Sequence, residues 1–145
     1  MSYLLIKIIH LCAAAFFIGG GFFEVMILSR ASSQLPAEAR AQLSTALGAR
    51  ARKVMHWVVL ALYGAGLALA WNYRAVLAHP FASSFSFLLS LKILFALSIL
   101  GHFIVVVWLM RTGRSTPKRS RIIHLSVLTQ MICIVVLAKS MMFAW

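Results

Sequence analysis

Four long apolar stretches, at about 3–28, 55–74, 87–110 and 122–144, alternate with short segments that hold most of the charge. Each is near the ~20 residues that a helix needs to cross the hydrocarbon of a bilayer. The pattern predicts an all-α integral membrane four-helix bundle with up-down topology, forming a single membrane domain over 1–145. No stretch remains that could form a soluble domain.

The segments between the spans differ in charge. Arg30, Arg40, Arg50, Arg52 and Lys53 fall in the first, and Arg111, Arg114, Lys118, Arg119 and Arg121 in the third. The second, 75–86, has only His79 beside Pro80, with Arg74 at its edge. Basic segments stay on the cytoplasmic side, so both termini are expected on the opposite face of a bacterial-type inner (plasma) membrane. Within the first connector, Ser33-Gln-Leu-Pro36 followed by Ala-Glu-Ala-Arg reads as a helix start with Pro36 in its first turn. A short helix within a 31–53 connector is therefore expected, lying on the cytoplasmic surface ahead of the second span. The apolar stretch before Ala13-Ala-Ala15 is very short and lacks a basic n-region, so the first span is expected to remain attached.

Composition supports the membrane reading. Hydrophobic residues make up 63% of the 145, and mean hydropathy is +0.96, above the range of soluble domains. Fourteen Lys and Arg against two acids would suggest a nucleic-acid partner in a soluble protein. Here they sit at the ends of apolar runs and set topology instead, so no nucleic-acid partner is expected. Cys12 and Cys133 lie inside apolar runs, where free buried thiols are the expectation. Tyr3, Trp57, Trp71, Tyr73, Trp108 and Trp145 stand near span ends and fit interfacial belts.

Candidate chemistry comes from polar residues inside the apolar runs. Every span carries a histidine: His10, His56, His102 and His124. Imidazole in hydrocarbon is costly, and it is a common ligand for haem iron and for copper. His56 follows Lys53 by three residues and His124 follows Arg121 by three, which places both just under the cytoplasmic surface at matching height. They form the best-matched bis-imidazole pair. His102, nine residues before Arg111, lies roughly 13 Å in from that surface, and His10 sits toward the outer side. All four are candidate metal ligands; His10 could instead contact a substrate.

Glu24 lies fourteen residues beyond His10, on one helical face with Ala13, Ala14, Phe17 and Gly21. That face is expected to point into the bundle. The carboxylate could orient a ligating imidazole or carry protons, or it could pair with Arg50, Arg52 or Arg111. Lys92 and Lys139, toward the outer side, could meet haem or porphyrin propionates, or simply snorkel. Gly64 to Gly66 and Gly19 to Gly21 allow close helix packing or a flat cofactor against backbone. His10, Cys12, Met141 and Met142 form a soft set that would suit copper(I).

Ile6-Lys7-Ile-Ile-His10-Leu with its following Gly-Gly resembles the opening helix of the CopD/HemJ-like membrane proteins. Leu91-Lys92 through Gly101-His102 is similar to that group's lysine-then-histidine helix. Arg121-Ile-Ile-His124 through Lys139-Ser-Met-Met-Phe143 is similar to its closing helix. The matching positions are His10, Lys92, His102 and Lys139. The chain departs from the pattern where the first span ends Leu28-Ser-Arg30 and where His124 replaces an asparagine. For the HemJ branch the resemblance implies one or two haem b groups and a protoporphyrinogen IX oxidase-like oxidoreductase. For the CopD branch it implies copper transport or copper binding.

Three functions follow as expectations. The first is a haem b-binding inner-membrane protein exchanging electrons with a quinone or a tetrapyrrole. The second is a copper-handling membrane protein. The third is a structural subunit of a respiratory complex, with packed histidines. Self-association into a homodimer, or inclusion in a larger membrane complex, is compatible with the glycine-rich faces.

Overall fold

A computed structural model describes residues 2–114 and 116–143, Pro117 by its backbone alone. Ala144 and Trp145, the expected end of the last span and its belt aromatic, lie outside the described residues. Among the described residues the chain is helical, with no strand. In order it forms α1 (Tyr3–Phe23), a π-helical turn (Glu24–Leu28), α2 (Ser29–Ser33), α3 (Ala37–Asn72), α4 (Arg74–Leu77), α5 (Ser84–Arg111), α6 (Pro117–Ser140) and a 3-10 turn (Met141–Phe143). Four helices are long and apolar enough to cross a membrane: Tyr3–Ser33, Ala37–Asn72, Ser84–Arg111 and Lys118–Phe143. The all-α, four-span architecture read from the apolar pattern is therefore the one observed.

Caps set the helix starts. The Ser2 hydroxyl accepts from the Leu5 amide at 3.4 Å, Ser83 from Ser86 at 3.1 Å, and Thr116 from Arg119 at 3.3 Å, with Pro117 in the first turn of α6. Pro36 stands just outside the first turn of α3, and its carbonyl accepts the Arg40 amide at 2.9 Å. At the far end of α5, Gly113 adopts φ +66°, and the Arg114 amide reaches back to the Leu109 carbonyl at 3.0 Å. This left-handed C-terminal closure lets α5 end where α6 must begin.

The chain divides into two compact units, Met1–Asn72 and Tyr73–Trp145. In the first, α1 packs antiparallel against α3. Ala13, Ala14, Phe17 and Gly21 are half-buried with His10, as the shared face requires, whereas Glu24 beyond them is exposed. In the second, α5 packs against α6 around Phe85, Leu89, Ile99, Leu128 and Met131, with Ser86 buried at the base of α5. Lipid-type faces stay open, Leu67 at 72% and Leu94 at 63% exposure among them.

The first connector differs from expectation. No separate surface helix forms there. The first span continues through its π-turn to Ser33, and α3 runs unbroken for 36 residues from Ala37, taking in Arg50, Arg52 and Lys53. The physical reason is local: 37–53 holds neither Gly-Pro nor a turn cluster, and Ala, Leu, Arg and Gln favour continued helix. At ~1.5 Å per residue α3 is roughly 54 Å long, well beyond ~30 Å of hydrocarbon, so its basic end overshoots the apolar layer.

The tip of this hairpin is held by one side chain. Arg40 donates from Nε to the Ser32 carbonyl at 3.1 Å, and from Nη2 to the carbonyls of Ser33 at 2.9 Å and Leu35 at 3.0 Å. The Ser32 carbonyl also accepts the Leu35 amide at 3.2 Å, and all three carbonyls stand at or just past a helix C-terminus, where a cation is also favoured by the helix dipole. Arg40→Ala should speed amide hydrogen exchange at Gln34 and Leu35 several-fold, with Arg40→Lys intermediate because one ammonium cannot span three carbonyls in that fork. Unchanged exchange rates in Arg40→Ala would show that the turn closes without it.

Candidate functional site: histidines held by main-chain carbonyls

In the first helical pair, the His10 ring crosses from α1 to α3. Its Nδ1 lies 3.0 Å from the Leu62 carbonyl, and its Cε1 would stand 3.2 Å from a Cβ at Gly66. A side chain at Gly66 would crowd the ring, so the glycine makes the approach possible. A carbonyl oxygen can only accept, so Nδ1 carries the proton and the basic lone pair is on Nε2. The same register puts Gly20 against Met55, whose Cε would be 2.7 Å from a Cβ there. It also brings Glu24 level with Arg50 and Arg52.

His56 holds its ring differently but to the same chemical end. Nδ1 donates back along α3 to the Arg52 carbonyl at 2.6 Å, so the lone pair is again on Nε2. His56 precedes Leu62, the residue that His10 meets, by six positions. The two rings therefore differ by about 9 Å in height along the pair.

In the second pair, His102 donates from Nδ1 to the Ser98 carbonyl at 2.8 Å, one turn earlier on α5. Its Nε2 is 3.2 Å from the Ser126 hydroxyl on α6, and the Gln130 amide nitrogen donates to that same hydroxyl at 3.2 Å. The Gln130 Oε1 is buried and, among the described residues, has no hydrogen-bond partner. His124 is half-buried, with Nδ1 3.4 Å from the Ser120 hydroxyl. It is two residues from Ser126, so it lies within about 3 Å of the height of His102 but on the far side of α6.

α6 begins at Pro117, so Arg121 lies in the second turn of the helix and His124 about one turn beyond it. Lys92 is half-buried on α5 and Lys139 exposed on α6, with its Nζ 3.7 Å from the Met142 sulfur. The antiparallel register fixed by His102 and Ser126 puts the two lysines at the same end of the pair. Cys12 and Cys133 are free thiols, the first exposed. Among the described residues no three His, Cys, Asp or Glu side chains converge in the manner of a metal cage.

Gly66 belongs to the glycine stretch expected to allow close packing, whereas the apolar pattern did not single out Leu62, Ser98, Ser126 or Gln130. A signal was present for the last two: a serine and a glutamine four residues apart in an otherwise apolar helix share one face. Gly64, two residues from Gly66 and so on another face of the helix, plays no such part. It lines an open apolar cavity of about 230 Å³ with Ile6, Ile9, Leu60, Ala61 and Ala65, and a Cβ there would meet nothing within 4 Å.

Comparison with protein-family models, curated proteins and solved structures finds no match to this chain.

The two glycines offer a direct check on the His10 contact. Gly66→Val should drive the ring off the Leu62 carbonyl and cost on the order of 1–3 kcal/mol by overpacking. Gly64→Ala should be neutral or slightly stabilising through helix propensity. Unfolding in mild detergent, followed by helical circular dichroism, separates the two; equal behaviour would rule out the packing role of Gly66.

Proposed function

We propose that this protein binds haem b in a bacterial-type inner membrane and exchanges electrons with a lipid-soluble partner, a quinone or a tetrapyrrole such as protoporphyrinogen IX. The observation that carries the reading is the way the histidines are held. In His10 and His56 a main-chain carbonyl fixes the proton on Nδ1 and so presents Nε2 as the basic nitrogen. Imidazoles that ligate metals are commonly oriented in this way, by a hydrogen bond from the nitrogen that does not bind.

The donor set suits iron in a porphyrin better than a bare ion. A porphyrin supplies four of the metal's ligands itself, so one or two imidazoles suffice and no cage of three protein ligands is required. His10, His56 and His124 are the imidazoles that would hold it. In His102 both ring nitrogens are engaged, by Ser98 and Ser126. Lys92 and Lys139 at one end of the second pair suit carboxylates such as propionates. Glu24, at the level of Arg50 and Arg52, would carry protons or balance those cations.

Haem supplies the one-electron chemistry when bound. The chain's own contribution is to orient imidazoles, exclude water and present apolar flanks through which a hydrophobic donor can approach from the bilayer. The resemblance of the His10, Lys92 and Lys139 segments to CopD/HemJ-like proteins supports the same reading. The basic connectors support an orientation with both termini on the non-cytoplasmic side.

Protein purified from haem-replete cells should be red, with a Soret band that sharpens and shifts on dithionite reduction. His56→Ala or His124→Ala should abolish the low-spin spectrum, while His102→Ala should retain bound haem. A colourless preparation overturns the proposal, and copper in place of iron by metal analysis would favour copper handling.

A further inference from the structure

We propose that the turn between α5 and α6 is a docking site for the phosphate headgroup of an anionic phospholipid, held by Arg114, Lys118 and Arg119, with Arg111 and Arg121 at its margins. The site lies wholly within the second helical pair and does not depend on haem.

Five cations fall within residues 111–121, and all five side chains are exposed. Keeping a connector on one side of a membrane requires only an excess of basic residues near it. Their placement goes further than that. Arg111 ends α5, where the helix dipole favours a cation. Lys118 and Arg119 stand in the first turn of α6, which holds no acid, and there the dipole opposes them. Lys118 and Arg121 add like charges three residues apart, a spacing that also works against the helix. Where a sequence breaks local rules in this way, function is the usual reason. An anion seated among these charges offsets their repulsion.

The turn that carries them is ordered by its own hydrogen bonds. Gly113 at φ +66° lets the Arg114 amide reach the Leu109 carbonyl at 3.0 Å, and Arg119 Nη1 donates to the Arg114 carbonyl at 3.2 Å. The second bond straps the start of α6 to the end of α5 and brings Arg119 beside Arg114. It spends one N–H of a guanidinium that has five. The backbone of the turn therefore has little freedom left to lose on binding, a loss that weakens recognition by flexible loops.

Depth favours a lipid over other anions. The Arg114 guanidinium lies over the Trp108 ring, 5.8 Å from its centroid, and Trp108 itself is half exposed in the last turn of α5. Tryptophan prefers the headgroup level of a bilayer, so the contact holds Arg114 at the depth of the lipid phosphates. A cation over an aromatic face is held by the ring's quadrupole, which leaves the fork of N–H donors available for bidentate contact with a phosphodiester. A soluble anion or an acidic protein segment would gain nothing from that depth.

Native mass spectrometry of the full-length protein released from detergent, with phosphatidylglycerol or phosphatidylcholine added, tests this. The first phosphatidylglycerol should bind more tightly than phosphatidylcholine. Arg114→Gln and Lys118→Gln should each weaken it about fivefold, the worth of one cation near an anionic surface. Arg114→Lys, which keeps the charge, should recover most of that loss. Arg30→Gln, which removes an exposed cation of the other helical pair, should leave the first site unchanged. Equal affinity for the two lipids would overturn the proposal. So would equal losses in Arg114→Gln and Arg30→Gln, the mark of undirected charge attraction. Displacement of the lipid by inorganic phosphate at the same concentration would overturn it as well, by making the ligand a soluble anion.

Discussion

A hydrogen-bonding group placed in hydrocarbon must find its partner inside the protein, and this constraint organises the molecule. The usual partners in a membrane bundle are side chains on neighbouring helices. Here the most frequent partner is the main chain. His10, His56 and His102 each turn Nδ1 toward a carbonyl oxygen that belongs to a helix. A carbonyl has two lone pairs, so it can receive a ring N–H and still serve its own helix. The cost of an intramembrane imidazole is thereby offset, and each ring is fixed in one tautomer.

The same economy extends to the hydroxyl residues. Ser29 donates to the Val25 carbonyl at 2.6 Å within the π-turn, Thr129 to Leu125 at 2.9 Å, and Thr112 to Trp108 at 2.9 Å. Such back-bonding removes a polar group from lipid at the expense of slight helix bending. Gln130 is the exception in the second pair. An amide has both donors and an acceptor to satisfy, and packing between α5 and α6 satisfies one end better than the other.

The number of spans, their approximate limits and the histidine on each were legible in the sequence, because hydropathy over twenty residues is a strong signal. Where the helices stop was less legible. The sequence reading ended the first span at Leu28, yet the π-turn carries it on to Ser33, and no Gly or Pro intervenes before Pro36 to break it. α6 likewise starts before the apolar run, at Pro117 where the run begins at Ile122, because Thr116 caps it and Pro117 opens its first turn. The partners of the histidines were invisible for a different reason. A carbonyl is present at every position, so nothing in the side-chain order marks Leu62, Arg52 or Ser98 as an acceptor. Gly66 carried a trace of the contact, but Gly64 beside it looked equivalent and proved to face open space.

The uninterrupted length of α3 has a mechanical consequence. A helix without a break behaves as a torsionally stiff rod, so its two ends cannot rotate independently. The tip clasped by Arg40 and the backbone facing His10 lie on the same rod, six to seven turns apart at ~3.6 residues per turn. Any twist imposed on the overhanging end therefore reaches Leu62 and Gly66 as a change of azimuth beneath the imidazole.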